Sequence, residues 1–302
     1  MTTVPLAYRV LLPDQLVDLL GKHLVDLPEP ELDPIDGKLS REAVDRYRAV
    51  LGGSPAAWAV VQHLRDLLDD DQGDGFAVLT AAPLLDHHGF DDALKAVTVI
   101  LSWLATPVKA YDSERLWSRL DAEPEHAAGA SPLHIDAINA VRPPDYTAFL
   151  CVRPDPRGGG LSLVSPIRRA VSHLTDDERL LLADRVYRFH GTPDTTGTGS
   201  VLNTFPVLDD NAPSAENFVR FDPRMLNDAD RGDPHTSAAR ALERELITRQ
   251  RRLRLGFGDI LIINLHLCAS GHGALGGFQK DIPEEQRRQL RQIYLRTSEP
   301  IP

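Results

Sequence analysis

The 302-residue chain has only two cysteines, no run rich in lysine or arginine, and no long hydrophobic run. Cys151 and Cys268 each sit inside an apolar stretch, so they read as buried reduced thiols rather than as the framework of a disulfide-stapled fold. With a net charge of −11, the chain has the wrong sign to neutralise a phosphate backbone, which argues against nucleic acid as a partner. The longest apolar stretch, "ALKAVTVILSWLAT", is too short and too interrupted to span a bilayer. The opening "MTTVPLAYRVLLPDQ" has no secretory pattern. Repeats and low-complexity linkers are missing as well. A cytoplasmic protein with no membrane association is expected.

What is present is ordinary globular material, 42% hydrophobic and 25% charged, and long enough to bury a core without staples. The first third is helical in its spacing: "PDQLVDLLGKHLVDL", "SREAVDRYRAVLGG", "AAWAVVQHLRDLLDD" and "FDDALKAVTVILSWLAT". "GFAVLTAAP" reads as a strand among them. From residue 131 the texture changes to short β-branched or aromatic runs between Gly, Pro and Asp turns, among them "LHIDAI", "YTAFLCVRP", "GLSLVS", "RVYRFH", "VLNTFPVL", "FVRFD", "LRLGFGDILIIN" and "LRQIYLR". Two helical inserts, "TDDERLLLADRV" and "TSAARALERELITRQRR", interrupt them. The pattern predicts one domain over 1–302, with mainly helical support in 1–110 and a β core in 131–296. The class is α+β, mostly β, with an antiparallel sandwich or barrel at its centre.

Chemistry concentrates in "SPLHIDAINA". On a strand, His134 and Asp136 point to one face, roughly 7 Å apart along the chain, while Ile135 packs on the other. Facing a barrel interior, an imidazole and a carboxylate can share one metal. A second histidine from a distant strand would complete a 2-His-1-carboxylate triad with open positions on iron(II). "GFGDILIINLHLCASGHGALGGF" offers two candidates, His272 and His266. The Gly-Gly-Gly hairpin before "LSLVS" permits close backbone approach. An inward arginine in "EEQRRQLRQIYLR" could grip a carboxylate through two parallel hydrogen bonds.

The order "LHID…PPDYTAFLCVRPDPRGGGLSLVS…GDILIIN…GHG…RRQLRQIYLR" resembles the Fe(II)/2-oxoglutarate-dependent oxygenases of the taurine dioxygenase and clavaminate synthase-like family. The likeness covers roughly residues 70 to 296 and includes "GFAVLTAAP", similar to the family's early strand. It implies a double-stranded β-helix, or jelly-roll, with a helical N-terminal layer. It also implies iron(II), 2-oxoglutarate as co-substrate, and O₂. By position, His134, Asp136 and His272 match the family's iron ligands, Arg288 matches the arginine that pairs with the distal carboxylate of 2-oxoglutarate, and Ser162 stands for a threonine that touches the same carboxylate. The sequence departs from the family in three places. The span from Asp259 to His272 is about two residues long for the pattern, which keeps His266 open as the ligand. Ala274 replaces an arginine, and Gln292 occupies the position of a second arginine four after Arg288.

The reaction so implied oxidises an unactivated C–H bond of a small molecule, with 2-oxoglutarate leaving as succinate and CO₂. Retention of Asp136, where related halogenases carry a small residue, favours hydroxylation over halogenation; desaturation or ring closure uses the same site. The substrate expected is an amino acid or derivative in specialised metabolism. Asp222 and Arg224, in "NFVRFDPRML", and Asn139 are candidate pocket residues. The competing reading is a cupin-like metal enzyme that does not use 2-oxoglutarate, which has no need to place Arg288 and Ser162 together. "DHHG" at 86–89 reads as a helix-capping loop, and the Gly/Thr-rich stretch after His190 as a lid. A homodimer is left open.

Overall fold

The structure is a computed structural model that describes residues 4–24, 26–27, 29–33, 37–109, 115–121, 129–189, 202–210, 218–227, 229–230 and 232–297. The N-terminal part is helical as expected at α1 (Asp14–His23), α2 (Arg41–Leu51), α3 (Pro55–Leu68) and α5 (Phe90–Leu101), with one further short helix, α4 (Ala82–His87), where the sequence reads as strand end and loop. Ser40 and Ser54 cap α2 and α3 by accepting from the Ala43 and Ala57 amides at 3.2 Å. Asp91 and Asp92 fall in the first turn of α5, where the helix dipole favours them. The two predicted inserts are α7 (Asp176–Ala183) and α8 (Pro234–Arg249), with the short α6 (Ile167–Val171) just ahead of them.

Thirteen strands are described. In chain order they begin with β1 (Arg9–Leu11), β2 (Phe76–Thr80), β3 (Thr106–Val108) and β4 (Ser118–Asp121). The middle group is β5 (Ser131–His134), β6 (Tyr146–Arg153), β7 (Ser162–Pro166), β8 (Leu208–Asp209) and β9 (Phe218–Val219). The last are β10 (Arg251–Leu253), β11 (Asp259–Asn264), β12 (Cys268–His272) and β13 (Gln289–Arg296). A seven-stranded sheet runs β1-β2-β11-β6-β13-β3, with β4 also on β13. A four-stranded sheet runs β10-β7-β12-β5, and β8 and β9 form a separate ribbon.

Period-two alternation divides the large sheet between two cores. Ala77, Leu79, Ala148, Leu150, Ile260, Ile262, Ile293 and Leu295 face the N-terminal helices. Phe76, Val78, Cys151, Leu261, Ile263 and Leu290 share the second core with Leu133, Val164, Leu253 and Cys268 of the small sheet and with α8. Because both faces are covered, β11 is buried at every position, which is why "DILIIN" is a continuous apolar run. The coarse expectation, a β core under a helical N-terminal layer, therefore holds.

Three strand expectations do not. Of the described residues of "VLNTFPVL" only Leu208 lies in a strand. "RVYRFH" pairs through a single bridge between Tyr187 and Phe205. Of its described residues only Tyr187 is buried, so no alternating face exists to hold a strand. "LHIDAI" is a strand only as far as His134, and residues 136–139 form a turn with Ala137 at φ 56°. The stretch after His190, expected to be a lid, lies largely outside the described residues.

Candidate active site

Because β5 ends at His134, strand alternation does not bring His134 and Asp136 together, contrary to the expectation from the sequence. The turn does. Asp136, buried, swings back so that its Oδ1 lies 3.2 Å from His134 Nε2. Ile135 packs into the second core, as expected, and its amide donates to Phe221 O at 2.9 Å. His134 Nδ1 lies 2.8 Å from Pro132 O. A carbonyl only accepts, so Nδ1 donates to it; a proton on Nε2 is shared with Asp136 Oδ1, and its loss frees that nitrogen's lone pair for a metal. Burial disfavours the imidazolium, but the hydrogen bond and charge of Asp136 outweigh it and hold the His134 pKa above its ordinary value.

His272 enters from the neighbouring strand. β12 pairs with β5 through a bulge, Ser270 opposite His134 and His272 opposite Ser131. The approach is so close that a Cβ on Gly271 would meet Ser131 O at 2.6 Å, so only glycine fits. His272 Nδ1 lies 3.1 Å from Gly273 O, which leaves its Nε2 lone pair available by the same argument. Burial, with the positive charges of Arg288 and His134, keeps its pKa below the ordinary value. Among the described residues no group of three His, Cys, Asp or Glu side chains is closed around one point. His134 and Asp136 are in contact, and His272 stands on the adjacent strand. His266 is tied elsewhere, with Nε2 at 2.7 Å from Asp145 Oδ1 and its ring edge-on to Phe218.

This donor set fits iron(II): two imidazoles with their Nδ1 protons committed to carbonyls, and one buried carboxylate. Among the described residues no lysine or arginine pairs with Asp136, which leaves His134 as its ionic partner. Its second oxygen accepts from Gln292 Nε2 at 3.3 Å, and the same nitrogen lies 3.2 Å from Thr147 Oγ1. Gln292 appears in the sequence only as a departure from the family, and Thr147 not at all. For Thr147 a signal was there, a polar residue in the apolar run "YTAFLC"; Gln292 shares its strand with Gln289, Arg291 and Arg296 and does not stand out.

Arg288, just before β13, and Ser162, at the start of β7, meet at one small cavity of about 20 Å³, room for about one water. Cys151, Asp155, Gly160, Arg254 and Leu290 are among the other residues of its wall. Gly160, at φ 61°, comes so near that a Cβ would lie 3.0 Å from Arg288 Nε. Burial lowers the Arg288 pKa. Among the described residues no carboxylate pairs with its guanidinium. Asp155 holds the surrounding loops, accepting from the amides of Arg157, Gly159 and Gly276 at 3.0, 3.0 and 2.7 Å and from Gln279 Nε2 at 3.2 Å. The glycine hairpin and the "GALGG" segment are thus joined through one carboxylate.

Asp222 is buried and close enough for its charge to bear on His134. Arg224 takes both its oxygens, with Nε at 3.0 and 2.9 Å and an Nη at 2.5 Å, and stacks over Phe189. Asn139 is buried in the turn that follows Asp136. "DHHG" closes α4, with His87 Nδ1 on Pro83 O, which is its capping reading.

A search of curated proteins finds no match to the chain. Among solved structures, asparagine oxygenase in complex with Fe(II), 2S,3S-3-hydroxyasparagine and succinate superposes with a TM-score of 0.72 at 19% identity, over 96% of this chain and 94% of that one. The non-heme iron oxygenase OrfP in complex with Fe gives 0.69 at 14% identity, over 98% and 94%. OrfP with Fe and alpha-ketoglutaric acid gives 0.68 at 15%, over 96% and 94%. At these identities the likeness establishes the fold. The family model described as taurine catabolism dioxygenase TauD, TfdA family, matches residues 47–294. The chain belongs to that family, the iron(II)- and 2-oxoglutarate-dependent oxygenases that its sequence resembles.

Proposed function

We propose that the protein hydroxylates an unactivated C–H bond of an amino acid or amino-acid derivative in specialised metabolism, with release of succinate and CO₂. The observation that carries this reading is the contact of His134 Nε2 with Asp136 Oδ1 beside His272, which is itself paired opposite Ser162 of the Arg288–Ser162 cavity. In this reading His134, Asp136 and His272 hold iron(II). The metal with 2-oxoglutarate and O₂ supplies the oxidising equivalent, and the protein supplies position. Arg288 pairs with the distal carboxylate of 2-oxoglutarate, and the Ser162 hydroxyl donates to the same group. The two sheets sharing one core act as a jelly-roll, and the chain as a single oxygenase domain with residues 1–110 as helical support.

The amino-acid class is supported by the solved relatives, one holding hydroxyasparagine and another, an OrfP variant, (3S)-hydroxy-L-Arg. Asp222, Arg224 and Asn139 are the pocket residues of this reading. With its charge already matched by Arg224, Asp222 offers a substrate a polar wall rather than a net negative charge. Substrate-dependent succinate release, screened across free amino acids and their derivatives, tests the class. One or more should raise succinate above the uncoupled rate. Uniform failure in a protein that binds iron and 2-oxoglutarate would remove amino acids as substrates.

A further inference from the structure

Arg220 is fully buried and takes no part in the site described above. Its Nε lies 2.7 Å from Asp209 Oδ2, so the β8–β9 ribbon carries its counter-ion. A single Nη donates to Ile138 O and to Ala140 O, each at 2.8 Å. Those carbonyls flank Asn139 in the turn that begins at Asp136. Further bonds tie the same turn to the same region: Leu202 N donates to Asn139 O at 2.7 Å and Ile135 N to Phe221 O at 2.9 Å. Arg220 N itself donates to Val207 O at 2.8 Å, which closes the bracket.

The turn needs such a bracket. Ala137 sits at φ 56°, a left-handed conformation that costs a non-glycine residue energy and persists only where the surroundings impose it. Asp136 stands between two anchors, the Ile135 amide on Phe221 O and the Ile138 and Ala140 carbonyls on Arg220, so its placement depends on both. Stability is a poor explanation for the arginine. Its second Nη meets no acceptor among the described residues, and a buried guanidinium with an unmet donor costs more than an apolar side chain of the same size.

We propose that Arg220 is a positioning residue: it holds the 136–140 turn in the conformation that aims Asp136 at His134, and so links metal affinity to the β8–β9 ribbon through Asp209. The inference rests on the proposed metal site. It concerns geometry, so its signature is a loss of metal affinity larger than any loss of fold.

The test is a cobalt(II) titration of the full metal-free chain, followed by absorbance, with hydrogen exchange of the 135–140 peptide as a second readout. Arg220→Lys keeps the charge but cannot reach Asp209 and both carbonyls at once. Leu64→Ala, in α3 on the far side of the large sheet, is the control for general destabilisation. The expected result is an affinity loss of about tenfold or more for Arg220→Lys with faster exchange at 135–140, against little change for Leu64→Ala. Should Arg220→Lys not fold, Asp209→Asn gives the same readouts with the guanidinium still in place. Equal affinity and exchange in the folded variant and the wild type would overturn the inference. Absence of cobalt binding in the wild type would instead overturn the metal site.

Discussion

The carboxamide of Gln292 lies 3.3 Å from Asp136 Oδ2, on the opposite side of the carboxylate from His134. A buried carboxylate needs donors on both oxygens, and this chain supplies an amide where its family often has an arginine. Gln292→Leu removes the donor to Asp136 and to Thr147 together. Metal affinity should fall between about 10- and 100-fold, as it does when an outer partner of a metal ligand is lost. Calorimetric titration of the metal-free protein measures this, and an unchanged affinity would show that Gln292 only fills space.

Proton competition should centre on His134. Its raised pKa means that in the metal-free protein the imidazolium persists above about pH 6.5, where a free imidazole is half neutral. The contribution of the charged pair to stability is therefore fully present below that pH and is lost as pH rises through the folded value. Metal-free protein should lose melting temperature on going from pH 6 upward through this window. Metal affinity should rise over the same window, because the ligand must be deprotonated. His272, whose pKa is lowered, should contribute little to either slope. Melting curves and cobalt affinities across the window decide the matter; parallel trends would contradict it.

Arg288→Ala should raise the apparent KM for 2-oxoglutarate by roughly 100-fold or more, since the buried carboxylate is left without its charged donor. Arg288→Lys should recover only part of this, because a point charge cannot form the two parallel bonds. Ser162→Ala should cost about tenfold or less, the worth of one hydrogen bond to a charged group. Steady-state kinetics at fixed amino-acid substrate would read all three.

Asp155 should be a stability residue with a kinetic shadow. Burial opposes its charge, but amide donors from both glycine-rich loops hold its pKa below the ordinary carboxylate value. Its stabilisation is present above about pH 4 and is lost as pH falls through the lower folded value. Asp155→Ala should destabilise by about 2 kcal/mol and loosen the wall beside Arg288, with a higher KM for 2-oxoglutarate. Denaturant melts combined with kinetics at neutral pH check both effects.

Much of this was legible in the sequence because it follows local rules. Helical spacing located α2, α3 and α5, and the apolar run in "DILIIN" located the strand that the structure buries on both faces. The His134 and Asp136 pairing was foreseen for the wrong reason. Periodicity could not show that β5 stops at His134, because the strand's end is set by Phe221 and Arg220, distant in sequence, acting on the following turn. Gln292 and Asp155 escaped for the same cause: their partners lie 156 and 121 residues away. The weak "RVYRFH" strand failed because alternation requires a second residue on the buried face, and only Tyr187 is there.

The central claim is that His134, Asp136 and His272 form an iron(II) site that chelates 2-oxoglutarate with the help of Arg288. Visible absorption under anaerobic conditions tests it most directly, as iron(II) and 2-oxoglutarate are added to the metal-free protein. The account predicts a charge-transfer band that needs both additions, disappears in Asp136→Ala, and in Arg288→Ala requires far more 2-oxoglutarate. No band in the wild type, or an undiminished band in Asp136→Ala, would contradict it.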